Sequence, residues 1–253
     1  MKNIIVRILP SDPEIKVVSL NRPEVKNAFN PEMIAELSEV FKSFQSDKNL
    51  KAVVLSGEGT SFCSGADLNW MKDMIHYSYE DNLKDSEKLW DMFEHLSQCP
   101  VPVIGVIQGS VYGGALGLIA CCDYVIAEER SQFCFSEVKL GLAPAVISSF
   151  VRRKISDGFT RPYMLSAEIF QTEAALRMGL VHSLLKNLTN WENEIKKFSG
   201  NGTESMRHTK ALLNQINANP SWSEQKKITT QLISERRTSA EAQNRLKKFI
   251  EKK

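Results

Sequence analysis

Gln108-Gly109-Ser110-Val111-Tyr112-Gly113-Gly114-Ala115-Leu116-Gly117-Leu118-Ile119-Ala120-Cys121-Cys122-Asp123 follows the apolar run Val103-Ile104-Gly105-Val106-Ile107. The run is short, continuous and β-branched, so it reads as a buried strand. The segment after Tyr112 is apolar enough to be a core helix, yet it holds Gly113, Gly114 and Gly117. Each glycine costs a helix interior about 1 kcal/mol, so three of them need a reason. Close packing is one. Another is an exposed N–H at the start of the helix, where the helix dipole adds to it. A strand, a glycine-rich turn and a helix in that order form the repeating piece of an α/β fold.

The same arrangement occurs earlier. Ala52-Val53-Val54-Leu55 reads as a buried strand ending in Ser56-Gly57, and Gly57-Glu58-Gly59-Thr60-Ser61-Phe62-Cys63-Ser64-Gly65-Ala66-Asp67-Leu68 follows it. Small residues there let backbone N–H groups approach a ligand, although a plain surface turn has the same composition. Two such N–H groups, one from each loop, would form an oxyanion hole.

Ile4 to Leu9 and Ile15 to Leu20 form a predicted hairpin, with Pro10-Ser11-Asp12-Pro13 as its turn. Asn30-Pro31-Glu32 is a helix start, followed by Met33, Ile34, Leu37, Val40, Phe41 and Phe44 at helical spacing. Tyr79 to Gln98 is a second predicted helix, with Leu83, Leu89, Trp90, Phe93 and Leu96 on one side. Tyr124-Val125-Ile126-Ala127 and Phe133-Cys134-Phe135 are further short strands. Strands and helices thus alternate to about residue 187, an α/β pattern with crossover connections.

From Trp191 the chain is helical and charged. This divides it into residues 1–190, an α/β core, and 191–253, a helical C-terminal region too small to bury a core of its own. Leu212, Leu213, Ile216, Trp222, Ile228, Leu232 and Ile233 need a surface to pack against, and a closed homo-oligomer built on trimers supplies one.

Composition narrows the function. Of 253 residues, 42% are apolar, enough to fill a core, and the net charge is only +2, which excludes disorder. With 32 basic residues balanced by 30 acidic ones and no basic block, a dedicated nucleic-acid binder is disfavoured. No run of ~18 uncharged apolar residues predicts a membrane span, and the opening Met1-Lys2-Asn3-Ile4-Ile5-Val6-Arg7 does not read as a secretory signal. Cys63, Cys99, Cys121, Cys122 and Cys134 form neither a CxxC pair nor an even framework, so they read as reduced thiols of a cytoplasmic protein. No phosphate loop, dinucleotide fingerprint or GxSxG elbow is present. His76, His95, His182 and His208 make no HxxxH pair, so no metal site is expected.

Phe133-Cys134-Phe135-Ser136-Glu137-Val138-Lys139-Leu140-Gly141-Leu142-Ala143-Pro144 places one acid among apolar residues. Glu137 is either a partly exposed loop glutamate or, if buried, a carboxyl whose pKa rises toward the working range of a general acid or base.

Taken in order, these three segments resemble the crotonase superfamily of enoyl-CoA hydratases and isomerases. The resemblance extends to Leu20-Asn21-Arg22-Pro23 with Asn27-Ala28, Ser64-Gly65-Ala66-Asp67-Leu68, Gly113-Gly114, Cys122-Asp123, Glu137 with Gly141 and Pro144, Ala174 to Gly179-Leu180-Val181, and Phe249-Ile250-Glu251-Lys252. It implies a spiral of ββα units with a C-terminal helical trimerisation region, and trimers that in this family often pair into hexamers. The ligand it implies is an acyl-CoA thioester, with coenzyme A as part of the substrate and no separate cofactor. By the same resemblance the amides of Ala66 and Gly114 hold the thioester oxygen and Glu137 is the acid/base. Ser64, Asp67, Leu68 and Asn69 continue the loop lining the coenzyme's path. Lys26 meets its phosphates, and Phe249 and Lys252 reach a neighbouring subunit's coenzyme.

The family's hydratases carry a second glutamate at the position of Gly117, which has no side chain. Isomerases of the family run on one glutamate, so an enoyl-CoA isomerase is the rival reading. A non-catalytic acyl-CoA-binding protein of the same fold is the third. The wording of the three segments is closest to bacterial hydratases of methylglutaconyl-CoA and carboxygeranoyl-CoA, which favours hydration. Such substrates carry a second carboxylate, for which Lys72, Lys139, Arg152 and Arg153 are candidate partners.

Overall fold

The computed structural model describes residues 1–218 and 221–251. The chain opens with strands β1 (Ile4–Leu9) and β2 (Asp12–Leu20), paired antiparallel. The hairpin is tighter than expected: β2 already begins at Asp12, leaving Pro10 and Ser11 as the turn, and an irregularity between Ile8 and Leu9 absorbs the offset. Helix α1 (Pro31–Ser43) starts where Asn30 Oδ1 accepts the Met33 amide at 2.9 Å with Pro31 at the first helical position. The Glu36 carboxylate on α1 accepts the amides of Lys2, Asn3 and Ile4, which ties the hairpin down onto the helix.

The sequence continues through β3 (Ala52–Gly57), α2 (Leu68–Met74), α3 (Tyr79–Ser97), β4 (Val103–Ile107), β5 (Ser110–Tyr112), α4 (Gly114–Cys121), β6 (Tyr124–Glu128), β7 (Gln132–Cys134), α5 (Ala145–Val151), α6 (Asp157–Ser166), β8 (Phe170–Gln171), α7 (Thr172–Arg177) and β9 (Ser183–Leu185). The main sheet has the order β1-β2-β3-β4-β6-β9, and every pair after the hairpin is parallel. A smaller sheet has the order β5-β7-β8. Twice the chain steps directly from the main sheet into the small one. β4 is followed by β5 and then α4, and β6 by β7 and the turn before α5. After β3, Cys63 makes a single parallel bridge to Val111 before α2 begins. These are the turns of a ββα spiral.

Both faces of the main sheet are covered, which explains its unbroken apolar runs. Val53 and Leu55 face the larger core with Phe41, Phe62, Phe93 and Phe133. Ala52 and Val54 face a smaller cluster closed by α8 (Trp191–Ser199) through Ile195, with Trp191 and Phe198 packed against it. Of the predicted α3 stripe, Phe93 and Leu96 are buried, Leu89 is half-buried, and Leu83 and Trp90 are exposed; Met92, outside that stripe, is buried as well.

The remaining helices are α9 (Thr203–Ala218), α10 (Trp222–Thr238) and α11 (Ala240–Glu251). Helix α9 is fixed to the core by Arg207, which donates to the carbonyls of Asp47 and Leu50, and by Lys210, which pairs with Asp123 at 2.6 Å. Glu241 on α11 accepts the Glu204 and Ser205 amides at the start of α9. Among the described residues α10 and α11 bury no side chain, and Trp222 is 86% exposed.

Candidate active site

Two loops and one short turn build the site. Phe29 and Ala66 form a parallel bridge, in which the Phe29 amide donates to the Gly65 carbonyl and the Asp67 amide to the Phe29 carbonyl, both at 2.7 Å. Those bonds belong to the neighbours of Ala66. Its own amide has no acceptor among the described residues, and Ala66 is exposed. On the other side, Gly113 leaves β5 with φ +53° and ψ −125°, a conformation that glycine adopts freely, and its amide donates to the Cys134 carbonyl at 2.9 Å. Gly114 is the first residue of α4, so no carbonyl of its own helix can accept its amide. That amide too has no acceptor among the described residues.

Phe29 couples the two arms. Its backbone holds the Ala66 strand, and its buried ring lies 3.2 Å from where a Cβ on Gly114 would stand. Nothing in the local sequence marks Phe29, because both contacts are long-range.

Glu137 opens a 3-10 turn, Glu137–Leu140, and is half-buried. Its Oε1 is 3.6 Å from the position of a Cβ on Gly113, which sets the carboxyl against the head of α4. Its Oε2 is buried without a hydrogen-bond partner. Burial pushes its pKa above the usual glutamate range. A carboxyl so placed can take up and return a proton beside an oxygen bound at the two free amides.

Asp67 has two structural partners. It caps α2, accepting the Asn69 amide at 2.7 Å, and pairs with Arg22 at 2.8 Å. Burial opposes its charge, but the Arg22 guanidinium and the Asn69 amide outweigh it and hold its carboxyl below the usual range. Arg22 also donates to the Ala28 carbonyl. Leu68 and Asn69, expected as loop, form the exposed first turn of α2, because the Asp67 cap starts the helix there. Ser64 is half-buried, and its amide donates to the carbonyl of Lys26. Lys26 sits in left-handed backbone with an exposed side chain at the rim of the same loop pair.

At Gly117 a Cβ would stand 2.7 Å from Phe93 Cζ and 2.7 Å from Ile147 Cγ2, so the position is closed to any side chain as the chain packs. The cation candidates separate. Arg152 pairs with Asp157. Arg153 lines a cavity of about 350 Å³ with Lys154, Cys122 and His182 at the end of α4 away from Gly114. Lys139, two residues beyond Glu137, and Lys72, in the last turn of α2, are exposed. Phe249 is on α11, 62% exposed, and Lys252 lies outside the described residues. All five cysteines are unbridged and buried, and burial pushes the thiols of Cys63 and Cys122 up to about 12.

The chain is similar to known proteins over most of its length. The model of the enoyl-CoA hydratase/isomerase family matches residues 12–253. An enoyl-CoA hydratase of Alternaria alternata is 36% identical over 167 residues, which is 66% of this chain and 54% of that protein. The chain therefore spans about half the length of that relative. The crystal structure of an enoyl-CoA hydratase from Shewanella pealeana superposes with a TM-score of 0.92 at 34% identity, covering 99% of this chain and 94% of that one. Pseudomonas aeruginosa AtuE superposes with a TM-score of 0.93 at 26% identity, covering 99% and 97%. The chain belongs to the enoyl-CoA hydratase/isomerase family, the crotonase superfamily.

Proposed function

We propose that the protein is an enoyl-CoA hydratase. The observation that carries this reading is the placement of a half-buried carboxyl, Glu137, whose Oε2 has no hydrogen-bond partner, at the head of the helix that offers the free Gly114 amide. Water adds to the β carbon of an enoyl thioester, and the electron pair of the double bond moves onto the thioester oxygen. The amides of Ala66 and Gly114 hold that enolate oxygen. Losing one such donor costs about 3 kcal/mol of transition-state stabilisation. Glu137 takes the proton that the attacking water gives up and delivers a proton to the α carbon, completing the addition without a cofactor.

The rest of the assignment follows the same reading. Lys26, Ser64, Leu68 and Asn69 meet the coenzyme at the rim, while Asp67 holds that rim in shape through Arg22. Phe249 and Lys252 act on a neighbouring subunit's coenzyme. Residues 191–253 assemble the chain into trimers or hexamers, which covers the exposed Trp222 and Ile233 of α10 and Leu246 and Ile250 of α11. The acyl group is 3-methylglutaconyl, as in leucine breakdown in the cytoplasm, and Lys139 and Lys72, both exposed and without an ion pair among the described residues, are the cations assigned to its second charge. Enoyl-CoA isomerisation is the second reading, favoured by the closed position at Gly117, which leaves Glu137 as the carboxyl at the helix head.

An acyl-CoA panel assayed separately for hydration and for double-bond migration tests the proposal. Hydration fastest on a glutaconyl-type thioester is expected. Migration without hydration would establish the isomerase. Tight acyl-CoA binding with no turnover and no solvent-deuterium exchange at the α carbon would make the protein a binder.

A further inference from the structure

Helix α4 presents the same face at Gly114 and, three residues on, at Gly117, ~4.5 Å along its axis. At Gly114 that face carries the free amide. At Gly117 it meets an apolar wall. A Cβ there would lie 2.7 Å from Phe93 Cζ, 2.8 Å from Phe93 Cε1 and 2.7 Å from Ile147 Cγ2. Phe93 is fully buried and cannot swing aside cheaply, because Phe150 backs it at a centroid distance of 5.4 Å and Trp90 covers Phe150 at 5.0 Å.

The charged and titratable groups around Glu137 are few. Helix α4 and strand β7 bring only the thiols of Cys121 and Cys134. Helix α5 carries none, and Arg152 just beyond it is taken by Asp157. Helix α6, packed on the 3-10 turn, carries Tyr163, Asp157 and Arg161, the last two paired with each other. Lys139 is the cation on Glu137's own turn. On α3, Asp85 interacts with Lys88 and Trp70, and Glu137 is not among its partners.

We infer that the Phe93 ring closes position 117 to a second carboxylate and so leaves Glu137 to ionise alone. The inference rests on the hydratase reading above. With one carboxylate, the group that accepts a proton from water is the group that returns a proton to the α carbon. Catalysis then requires only that Glu137 begin ionised, so kcat falls on the acid side alone. Two carboxylates sharing the site would push one pKa up and add an alkaline limb, since one group must then begin protonated.

The experiment compares pH–rate profiles of the wild type, F93A, G117E and F93A/G117E with the best substrate. A single acid limb is expected for the wild type and for F93A. G117E is expected to lose more than tenfold in rate without gaining a limb, and F93A/G117E to gain an alkaline limb. A bell-shaped wild-type profile, an alkaline limb in G117E with Phe93 in place, or a single limb in a folded F93A/G117E would each overturn the inference. Thermal melts of G117A in the wild-type and F93A backgrounds decide the matter even if the double variant does not fold. The added methyl should lower Tm more beside Phe93 than without it, where only the Ile147 contact remains, and equal losses overturn the assignment to Phe93. A wild type that neither hydrates nor exchanges α protons sinks the hydratase reading, and the melts still test the packing.

Discussion

The Ala66 amide is held in place by hydrogen bonds and charge, the Gly114 amide by volume. On the Ala66 side, the strand is pinned by its bridge to Phe29, and the loop beyond it by the Arg22–Asp67 pair and the Asp67 cap on α2. On the Gly114 side, the helix head is set by the backbone of Gly113, the Phe29 ring and the wall of Phe93 and Ile147. The two amides do the same job, so the difference shows that a site needing rigid donors can obtain them by either route. The routes fail differently. The first is sensitive to pH and to loss of a partner, the second to added or missing atoms.

Three substitutions probe that contrast. Asp67→Ala should have the largest effect, about 3–5 kcal/mol of stability in denaturant titration, because it strands the nearly buried Arg22 cation and removes a helix cap. A loss under about 1 kcal/mol would mean that charge does not hold the Ala66 arm. Gly113→Ala should cost roughly 1–3 kcal/mol, through backbone strain at φ +53°, and this loss should be the same at pH 5 and pH 8.

Asp67→Asn should cost less than Asp67→Ala, because the amide keeps the size and the capping oxygen. Its cost should also depend on pH. The Asp67 carboxyl is held below its usual range in the folded chain. Its contribution is therefore fully present above the unfolded carboxylate pKa, near 4, and fades as pH falls through the lower folded value. The stability gap between wild type and Asp67→Asn should be constant from pH 8 to about 5 and close on further acidification. A gap that widens in acid would reverse the sign assigned to Asp67.

Much of this was legible in the sequence because it is local. The Asn30 cap, the apolar runs at 52–55 and 103–107 and the glycines at 113 and 114 each announce their own structure within a few residues. The family wording of the three segments extended that to a fold and a candidate carboxyl at Glu137. What could not be read is long-range or very short. Strands β5 and β8 are three and two residues long and exist because β7 lies between them. Helix α2 hides behind a glycine-rich loop, and the partner of its cap, Asp67, is 45 residues away. Trp90 has the spacing of a core residue yet is 40% exposed, covering Phe150 from outside while Met92 and Phe93 face the core. The roles of Phe29 and Phe93 depend on which glycine each ring abuts, and spacing carries no trace of that.

The central claim is that Glu137 moves the proton over an enolate held by the Ala66 and Gly114 amides. Glu137→Gln preserves the shape of the side chain and removes its titratable proton. Turnover on the best enoyl-CoA and α-proton exchange on the matching saturated acyl-CoA, measured beside acyl-CoA affinity in the same preparation, test the claim most directly. The account predicts a fall of about 100- to 10,000-fold in both rates with affinity little changed. Near-normal rates in Glu137→Gln would contradict it and place the base on another side chain.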